Sequence, residues 1–234
     1  MPFSSLVILT GAGISAESGL ATFRASDGLW EQHRIEDVAT PGGFRRDPDL
    51  VHRFYNERRR KLKAVAPNAA HAALARLEAA WKGDFLLVTQ NVDDLHDRAG
   101  SRRLIHMHGE LLKARCLVCA EVHPWEEDLG PGTMCPQCGV MGRLRPHIVW
   151  FEEMPLEMDT IYEALERCEV FLSVGTSGNV YPAAGFVEAV PIRSRTIEIN
   201  LEPSLVATAF KEHRLGPASV EVPRIVDELL AQGS

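Results

Sequence analysis

The sequence predicts an open, doubly wound α/β domain with a small module inserted into it. Short apolar runs with the length of buried strands occur at 6–9, 85–88, 170–174 and 196–199, and helical patterns separate them. Because these runs do not alternate strictly between apolar and polar residues, the strands should form a mostly parallel sheet that is covered on both faces. A length of 234 residues, with 45% hydrophobic and 24% charged, suits one large domain with one small insert.

The clearest helix is predicted at 69–82, where Ala and Leu dominate and apolar side chains recur on one face. Asn68 is its expected N-cap and Gly83 its expected stop signal. Further helices are predicted at 50–63, 156–167 and 223–231. The basic run 58–63 falls at the end of one of them, where the helix dipole favours cations and such side chains are usually solvated.

Charge and the N-terminal segment limit the classes of function. A formal net charge of -7 argues against a protein that holds nucleic acid by neutralising phosphates, so small molecules and proteins are the expected partners. The segment 1–10 has no basic start, and no stretch of about 18 uninterrupted apolar residues occurs. We therefore expect a soluble, unexported, cytoplasmic protein that does not bind membranes.

Four of the five cysteines form two close pairs, each with the C-x-x-C spacing of a zinc knuckle. The pairs are Cys116 with Cys119 and Cys135 with Cys138. Four protein ligands leave no coordination position for a substrate, so the pattern predicts one structural zinc ion in a module at 113–144. Two redox-active dithiols are the alternative. Cys168 lies beside an apolar strand and is expected to be a small core residue.

A glycine-rich turn follows the first predicted strand. The segment 11–16 fits the G-x-G-x-x-A form of the dinucleotide fingerprint, in which small residues let backbone N–H groups approach a pyrophosphate. A tight structural turn has the same pattern. The usual continuation is a core helix and a second strand that ends in an acid, whereas 18–30 is broken by glycine and resembles a binding loop.

Polar side chains follow three of the predicted strands, at 89–93, at 175–177 and at Asn200 with Glu202. Ligands of open α/β sheets bind beside the carboxyl ends of the strands, so these clusters should converge on one crevice. Each cluster could also merely cap the following helix. His108, just before the cysteine module, is the candidate base because imidazole titrates near neutral pH; His71, His96 and His147 are expected to be structural.

Taken together, these motifs resemble those of the sirtuins, which are NAD-dependent protein-lysine deacylases, and most closely the bacterial members of their class III. The motifs occur in order from about residue 6 to near the C-terminus, at 11–24, 89–93, 106–109, the four cysteines, 145–151, 175–177 and 200–202. The resemblance implies a Rossmann-like NAD-binding domain at 1–112 and 145–234, with a helical insert at about 34–66, and a small zinc-binding domain at 113–144.

The resemblance also implies the site residues. His108 would be the general base and Asn91 the second catalytic residue, and the substrate would contact Tyr55, Arg58, Val149 and Phe151. The zinc ligands would be Cys116, Cys119, Cys135 and Cys138. NAD, consumed as a co-substrate, would contact Gly11, Ala12, Gly13, Ile14, Ser15, Glu17, Thr22, Phe23, Arg24, Trp30, Gln90, Asn91, Val92, Asp93, Gly175, Thr176, Ser177, Asn200, Leu201, Glu202 and Ala218. The products would be free lysine, nicotinamide and O-acyl-ADP-ribose.

Tyr55 and Arg58 lie three residues apart on a predicted helix and so project from nearly the same face. In class III sirtuins such a pair recognises the distal carboxylate of succinyl-lysine or malonyl-lysine. The chemistry suits it, because a guanidinium binds a carboxylate in a bidentate fork and a phenol adds one hydrogen bond. Acetyl-lysine would still fit, so we expect a deacetylase that is also a desuccinylase.

The sequence departs from the common family pattern at two places. Ala21 and Thr22 stand where Pro and Asp are common, as in bacterial class III forms. Glu152 stands where a glycine normally precedes the Glu of the motif, in a segment expected to pair with the substrate peptide as an added strand. A side chain and a negative charge there should alter the backbone or the choice of peptide.

Parts of the sequence also fit three other functions. A protein ADP-ribosyl transferase would use the same NAD cleavage, but the base His108 and the Tyr55 and Arg58 pair favour deacylation. A zinc-ribbon protein that binds nucleic acid is opposed by the acidic residues of the insert, which are Glu121, Glu126, Glu127 and Asp128. A dehydrogenase is opposed by the missing second strand and acid. The expected partner is an acylated-lysine protein or peptide, and the expected oligomeric state is a monomer.

Overall fold

The computed structural model describes residues 3–21, 29–30 and 33–232. The strands are β1 (Ser5–Thr10), β2 (Leu29–Trp30), β3 (His33–Arg34), β4 (Asp84–Thr89), β5 (Leu104–His106), β6 (Gly109–Cys116), β7 (Val122–Pro124), β8 (Leu144–Ile148), β9 (Val170–Val174), β10 (Arg195–Asn200) and β11 (Glu212–Leu215). The α-helices are α1 (Ala12–Ala16), α2 (Ile35–Val38), α3 (Pro41–Arg46), α4 (Pro48–Leu62), α5 (Ala69–Ala80), α6 (Leu95–Ala99), α7 (Met158–Glu166), α8 (Phe186–Ala189) and α9 (Ala218–Gln232).

A six-stranded sheet in the order β11-β10-β9-β1-β4-β5 forms the centre of the molecule, and every pair in it is parallel. The predicted doubly wound sheet is therefore confirmed, and all four predicted strands belong to it. Its strand order changes direction at β1, whose neighbours are β4 and β9. The carboxyl ends of β1, β4 and β9 thus meet where ligands of open α/β sheets bind.

Both faces of the sheet are covered, because alternate residues of β1 enter different cores. Leu6 and Ile8 pack with α5 and α9, whereas Val7 and Leu9 pack with α7 and α8. A third core joins α2, α4 and α6 to β6 and β8, where Val51 and Phe54 lie in one cluster with Leu111 and Ile148. In the part of the chain described, no helix is both long and apolar enough to cross a membrane.

Each predicted helix is present with at least one shifted boundary, most clearly the helices predicted at 69–82 and 223–231. The predicted helix 69–82 ends at Ala80, because Trp81 turns to extended backbone with φ -75° and ψ 120°. Gly83 is needed for a close approach instead, since a Cβ there would collide with the carbonyl oxygen of Ser4. The last helix starts at Ala218, five residues before its predicted start at Pro223. Pro223 therefore lies inside the helix, beyond its first turn, and it lacks the N–H that would donate to the carbonyl of residue 219.

The segment that contains the paired cysteines forms a three-stranded antiparallel sheet in the order β7-β6-β8. Its small core consists of Ala114, Cys116, Leu129, Cys135 and Leu144. We refer to residues 109–148, which hold this sheet and the cysteines, as the cysteine module. The longest helix beside this module is α4, whose first turn is capped by the Asp47 carboxylate, 2.8 Å from the backbone N of Leu50.

Candidate active site

The three predicted polar clusters do meet at the carboxyl edge of the parallel sheet. Gln90 Nε2 donates to Thr176 Oγ1 at 3.2 Å, which joins the segments after β4 and β9. Asn200 Nδ2 donates to the carbonyl of Thr176 at 2.9 Å and so adds the segment after β10. Asn91 Nδ2 donates to the carbonyl of Gly11 at 3.1 Å, which brings in the glycine turn. The arrangement forms one crevice edge from four separate parts of the chain.

Glycine is required in the first turn for a reason that the sequence did not reveal. A Cβ on Gly11 would lie 2.8 Å from the carbonyl oxygen of Gly175, and one on Gly13 would lie 2.6 Å from its Cα. The N–H groups of Gly11 and Gly13 donate to the carbonyls of Val174 and Gly175 at 2.9 and 2.8 Å. The glycines therefore allow two turns to pack closely, and their contact with a pyrophosphate stays a prediction.

Beneath this edge lies a set of buried polar side chains that we call the polar cluster. Its members are Thr10, Ser15, His71, Thr89, Asn91, Asp93 and His96. Ser15 is its centre: its Oγ donates to Asp93 Oδ2 at 3.0 Å, accepts from Asn91 Nδ2 at 3.1 Å and lies 3.4 Å from His71 Nε2. Hydrogen bonding of this density fixes the orientation of the Asn91 and Asp93 side chains.

The two histidines of the polar cluster are uncharged and structural, as expected. Burial lowers the pKa of His71 to about 4, and burial lowers the pKa of His96 well below its ordinary value. Their rings lie 4.8 Å apart, and His96 Nε2 is 3.0 Å from Thr10 Oγ1. Burial also raises the pKa of Asp93, while hydrogen bonds from Leu95 N and Ser15 Oγ oppose that shift. The carboxylate is therefore held by neutral donors.

His108 lies outside the polar cluster, against the backbone of Gln90. Its Nδ1 lies 3.0 Å from the carbonyl oxygen of Gln90. A carbonyl can only accept, so Nδ1 carries the proton of the neutral ring and Nε2 is left as the acceptor. Burial lowers the pKa of His108 below its ordinary value, and the bond to Gln90 opposes this. A half-buried, neutral imidazole with one nitrogen ready to accept has the properties of a general base.

Tyr55 and Arg58 do share one face of α4, within a group that we call the aromatic pocket. Its members are Trp30, Phe54, Tyr55, Arg58 and Trp150. The guanidinium carbon of Arg58 lies 3.1 Å from the centre of the Phe54 ring and 5.0 Å from that of Trp30. The Tyr55 side chain is fully buried, and its Oη accepts from Trp150 Nε1 at 2.9 Å. Trp30, which the sequence assigned to the cofactor, thus packs in this pocket.

The segment after β8 connects the aromatic pocket to His108. The backbone N of Val149 donates to the carbonyl of His108 at 2.8 Å, and that of Phe151 donates to the carbonyl of Ala39 at 3.0 Å. The Phe151 side chain is exposed. Trp150, between the two predicted substrate residues, was not singled out in the sequence, although its neighbours on both sides were. Glu152 has φ 74°, in the left-handed region that favours the glycine expected there.

The expectation that the basic run 58–63 is solvated is wrong for its first two residues. Arg58 and Arg59 are both buried. Arg59 Nε donates to the carbonyl of Leu111 at 3.1 Å and its Nη1 to Asn56 Oδ1 at 2.8 Å, and burial lowers its pKa to about 10. Arg59 faces the cysteine module and Arg58 faces the aromatic pocket, neither of which the helical pattern alone could show.

The exposed part of the same run faces the acidic residues of the cysteine module. Arg60 forms an ion pair with Asp128 at 2.6 Å, and Lys63 Nζ lies 3.7 Å from Glu126. The two runs of opposite charge therefore meet each other.

The four paired cysteines form a compact sulfur cluster. All four Sγ atoms lie within 4.8 Å of one another, with Cys116 to Cys138 and Cys119 to Cys135 each at 3.8 Å. A tetrahedron with metal–sulfur bonds of about 2.3 Å has edges of about 3.8 Å. The thiols fit one structural zinc ion. Cys168 is buried far from them in sequence, in the core against α7 and α8, with its Sγ 2.9 Å from the carbonyl of Val170.

The other predicted cofactor residues lie in several settings. Glu17 accepts hydrogen bonds from the backbone N and the hydroxyl of Ser219, at the start of α9, next to buried Ala218. Leu201 and Glu202 are exposed, and Ser177 lies exposed after β9. Ala12 and Ile14 belong to α1, and Val92 is partly buried in the third core. Thr22, Phe23 and Arg24 lie outside the described residues.

Comparison with known proteins gives consistent matches. Residues 11–182 match the model of the Sir2 family. An NAD-dependent protein deacylase of Vibrio parahaemolyticus is 60% identical over 233 residues, which cover 98% of this chain and 97% of the relative. A protein of the same name from Vibrio cholerae is 59% identical over 234 residues, which cover 99% and 95%. The crystal structure of a Sir2 homolog in complex with NAD is similar with a TM-score of 0.88 and 40% identity, covering 98% of this chain and 91% of that one.

Proposed function

The chain belongs to the Sir2 family, and from this premise we propose that it is an NAD-dependent protein-lysine deacylase that removes both acetyl and succinyl groups. The observation that carries the choice of acyl group is the aromatic pocket. It places a guanidinium and a phenol on one face of α4, one loop away from His108. Malonyl-lysine, a shorter dicarboxylic acyl group, belongs to the same substrate class.

In this proposal the cofactor is bound by the polar cluster at one end and by the glycine turn with two nearby segments at the other. The polar cluster holds Asn91 and Asp93 at the sheet edge, where the nicotinamide and its ribose bind in this proposal. The glycine turn, the segment 175–177 and the segment 200–202 hold the rest of the cofactor. NAD supplies the ribose carbon to which the acyl oxygen is transferred as nicotinamide leaves.

His108 accepts a proton from a ribose hydroxyl at its Nε2 atom, because Nδ1 is already committed to the carbonyl of Gln90. A pKa lowered by burial keeps the ring neutral, and therefore able to accept, at neutral pH. The cysteine module contributes no catalytic group. Cys116, Cys119, Cys135 and Cys138 would hold a zinc ion that ties the two cysteine pairs of the module together, and Asn56 and Arg59 join the module to α4.

Mass spectrometry of matched acetyl-lysine and succinyl-lysine peptides, incubated with NAD, tests the proposal. The wild type should remove both acyl groups and release nicotinamide and O-acyl-ADP-ribose. His108→Ala should lower kcat/KM for both substrates by about 10²- to 10⁴-fold, the contribution typical of general base catalysis. Arg58→Met should lower kcat/KM for succinyl-lysine by about 100-fold, since charge-assisted hydrogen bonds to the carboxylate are lost, and should leave acetyl-lysine within about threefold.

Arg60→Met is the matched control, because Arg60 lies on the same helix but forms an exposed ion pair with Asp128. It should change neither rate. Transfer of ADP-ribose to protein with no loss of acyl groups would replace the deacylase proposal by the transferase alternative. A monomer in the cytoplasm, without bound nucleic acid, is the expected setting of the activity.

A further inference from the structure

The hydrogen bond between Trp150 and Tyr55 has only one possible direction. An indole N–H can donate but not accept, whereas a phenol can do both. Trp150 Nε1 lies 2.9 Å from Tyr55 Oη, so the tyrosine oxygen is the acceptor. The proton of the Tyr55 hydroxyl is not used in this bond. In the described part of the chain, Tyr55 makes no other side-chain hydrogen bond, and its proton is left for a partner that enters the pocket.

The indole is held in place by an ion pair between buried Arg145 and partly buried Glu153. The guanidinium carbon of Arg145 lies 3.3 Å from the centre of the Trp150 ring. Glu153 accepts from Arg145 Nη1 at 2.7 Å and Nη2 at 2.9 Å, and it accepts from the backbone N of Trp150 at 2.9 Å. The ring plane and the backbone of Trp150 are thus fixed by the same pair. The indole N–H therefore stays directed at Tyr55.

The resulting phenol is a donor suited to an anion. Burial raises the pKa of Tyr55, so the hydroxyl stays protonated in neutral and mildly alkaline solution. Donation from the indole to the phenol oxygen also polarises the phenol O–H, which strengthens its own donation. The Arg58 guanidinium on the same helix face supplies a cation beside it. An acetyl group offers no carboxylate to this donor, whereas a succinyl group does.

We propose that Trp150 is a positioning residue for dicarboxylic acyl groups: its indole N–H makes Tyr55 an acceptor on one side and so aims the tyrosine proton at the distal carboxylate. This inference rests on the proposed function, in which Tyr55 and Arg58 bind that carboxylate. It assigns to Trp150 the discrimination between succinyl-lysine and acetyl-lysine rather than the chemistry of the reaction. The Arg145 and Glu153 pair acts one step further away, through the indole.

The test is the ratio of kcat/KM for succinyl-lysine to kcat/KM for acetyl-lysine on one peptide sequence. Trp150→Phe keeps a ring over Arg145 but removes the N–H, and it should lower this ratio about tenfold, the typical loss when a hydrogen bond to a charged group is weakened. Tyr55→Phe should lower it by a similar factor. The double variant should lower it no further than Tyr55→Phe alone, because both changes remove the same interaction.

Trp81→Phe is the matched control, since Trp81 Nε1 also donates one hydrogen bond, to the carbonyl of Asp84 at 3.1 Å, outside both regions of the site. Its ratio should equal that of the wild type. If Trp150→Phe does not fold, Glu153→Gln replaces it and should shift the ratio in the same direction by a smaller factor.

Equal losses for both substrates in Trp150→Phe would mean that the indole only supports the fold, and would overturn the inference. Additive losses in the double variant would overturn it too. A wild type that removes acetyl but not succinyl groups would also contradict the inference, because the Tyr55 hydroxyl would then bind no substrate carboxylate. A wild type with no deacylase activity would instead refute the proposed function itself.

Discussion

The polar cluster and the aromatic pocket are both buried, yet different parts of the fold hold them. The polar cluster is attached to the parallel sheet. Thr10 and Thr89 are the last residues of the paired strands β1 and β4, and Ser15 and Asn91 follow those strands in the chain. The aromatic pocket lies outside the sheet, between α4 and the segment after β8. The first region is thus anchored by the core of the domain, and the second depends on how a helix and the cysteine module meet.

Their electrostatics differ in the same way. The polar cluster surrounds Asp93 with neutral donors and with two histidines whose pKa is lowered by burial. The aromatic pocket instead contains the buried guanidinium of Arg58, and the buried guanidinium of Arg145 lies beside it, paired with Glu153 and stacked on Trp150. Neutral, densely bonded groups suit chemistry that every acyl substrate shares. Buried cations suit the recognition of one charged acyl group, because a cation selects an anion more strongly where water is excluded.

An Asn→Ala change in each region distinguishes shared chemistry from recognition of the acyl group. Asn91→Ala removes the amide that donates to Gly11 and Ser15, at 3.1 Å each, and it should lower kcat/KM for acetyl-lysine and succinyl-lysine alike. We expect a loss of about 10²- to 10³-fold, the size typical for a lost polar group that stabilises a transition state. The succinyl to acetyl ratio should stay within about threefold of the wild type. Steady-state kinetics on both peptides measures this ratio of kcat/KM values. A changed ratio would contradict the idea that the polar cluster serves both substrates equally.

Asn56→Ala is the corresponding change in the second region. The Asn56 amide accepts from Leu129 N and donates to Leu129 O, both at 2.9 Å, and so joins α4 to the cysteine module. Its loss leaves two buried peptide groups of Leu129 without these partners. We expect the free energy of unfolding to fall by about 2 kcal/mol and Tm by about 4 to 8 °C.

The kinetic effect of Asn56→Ala should be small but selective. Because α4 carries Tyr55 and Arg58, loosening its contact with the module should lower the succinyl to acetyl ratio by about threefold. Zinc removal from the wild type by a chelator should shift the ratio in the same direction before activity disappears. A lower Tm with an unchanged ratio would show that this contact supports stability alone.

The two regions also differ in how far the sequence predicts them. The polar cluster follows from local signals: apolar runs fix the strands, and the polar residues directly after them must lie at the carboxyl edge of a parallel sheet. His71 and His96 were correctly expected to be structural. No local sequence pattern predicts that they lie beneath Ser15, because that position depends on how α5 and α6 pack together.

The aromatic pocket is predicted only in part. The spacing of Tyr55 and Arg58 on a helix places them on one face, but the hydrogen bond from Trp150 crosses 95 positions of sequence. The basic run that starts at Arg58 was expected to be solvated, since helical periodicity does not reveal what packs against the polar side of a helix. A test for opposite charges in two separate segments would have suggested the contact of Arg60 with Asp128.

Backbone strain is the smallest difference between the regions. Among the described residues, the non-glycine residues with positive φ are Ala120, Glu152 and Glu157, and none belongs to the polar cluster. Glu152 is exposed, directly after the pocket segment, with φ 74°. A left-handed backbone costs a residue with a Cβ about 1 to 2 kcal/mol, whereas glycine adopts it freely but loses more entropy on folding.

Glu152→Gly should therefore raise the free energy of unfolding by about 0.5 kcal/mol, because relief of the left-handed conformation exceeds the entropic cost of about 0.4 to 1 kcal/mol. Glu152→Ala is the matched control: it removes the charge but keeps the Cβ, so it should give no such gain. Denaturant unfolding of the three proteins measures the difference. If Ala stabilises as much as Gly, the benefit comes from removing the carboxylate, and the conformation of residue 152 carries no strain that glycine relieves.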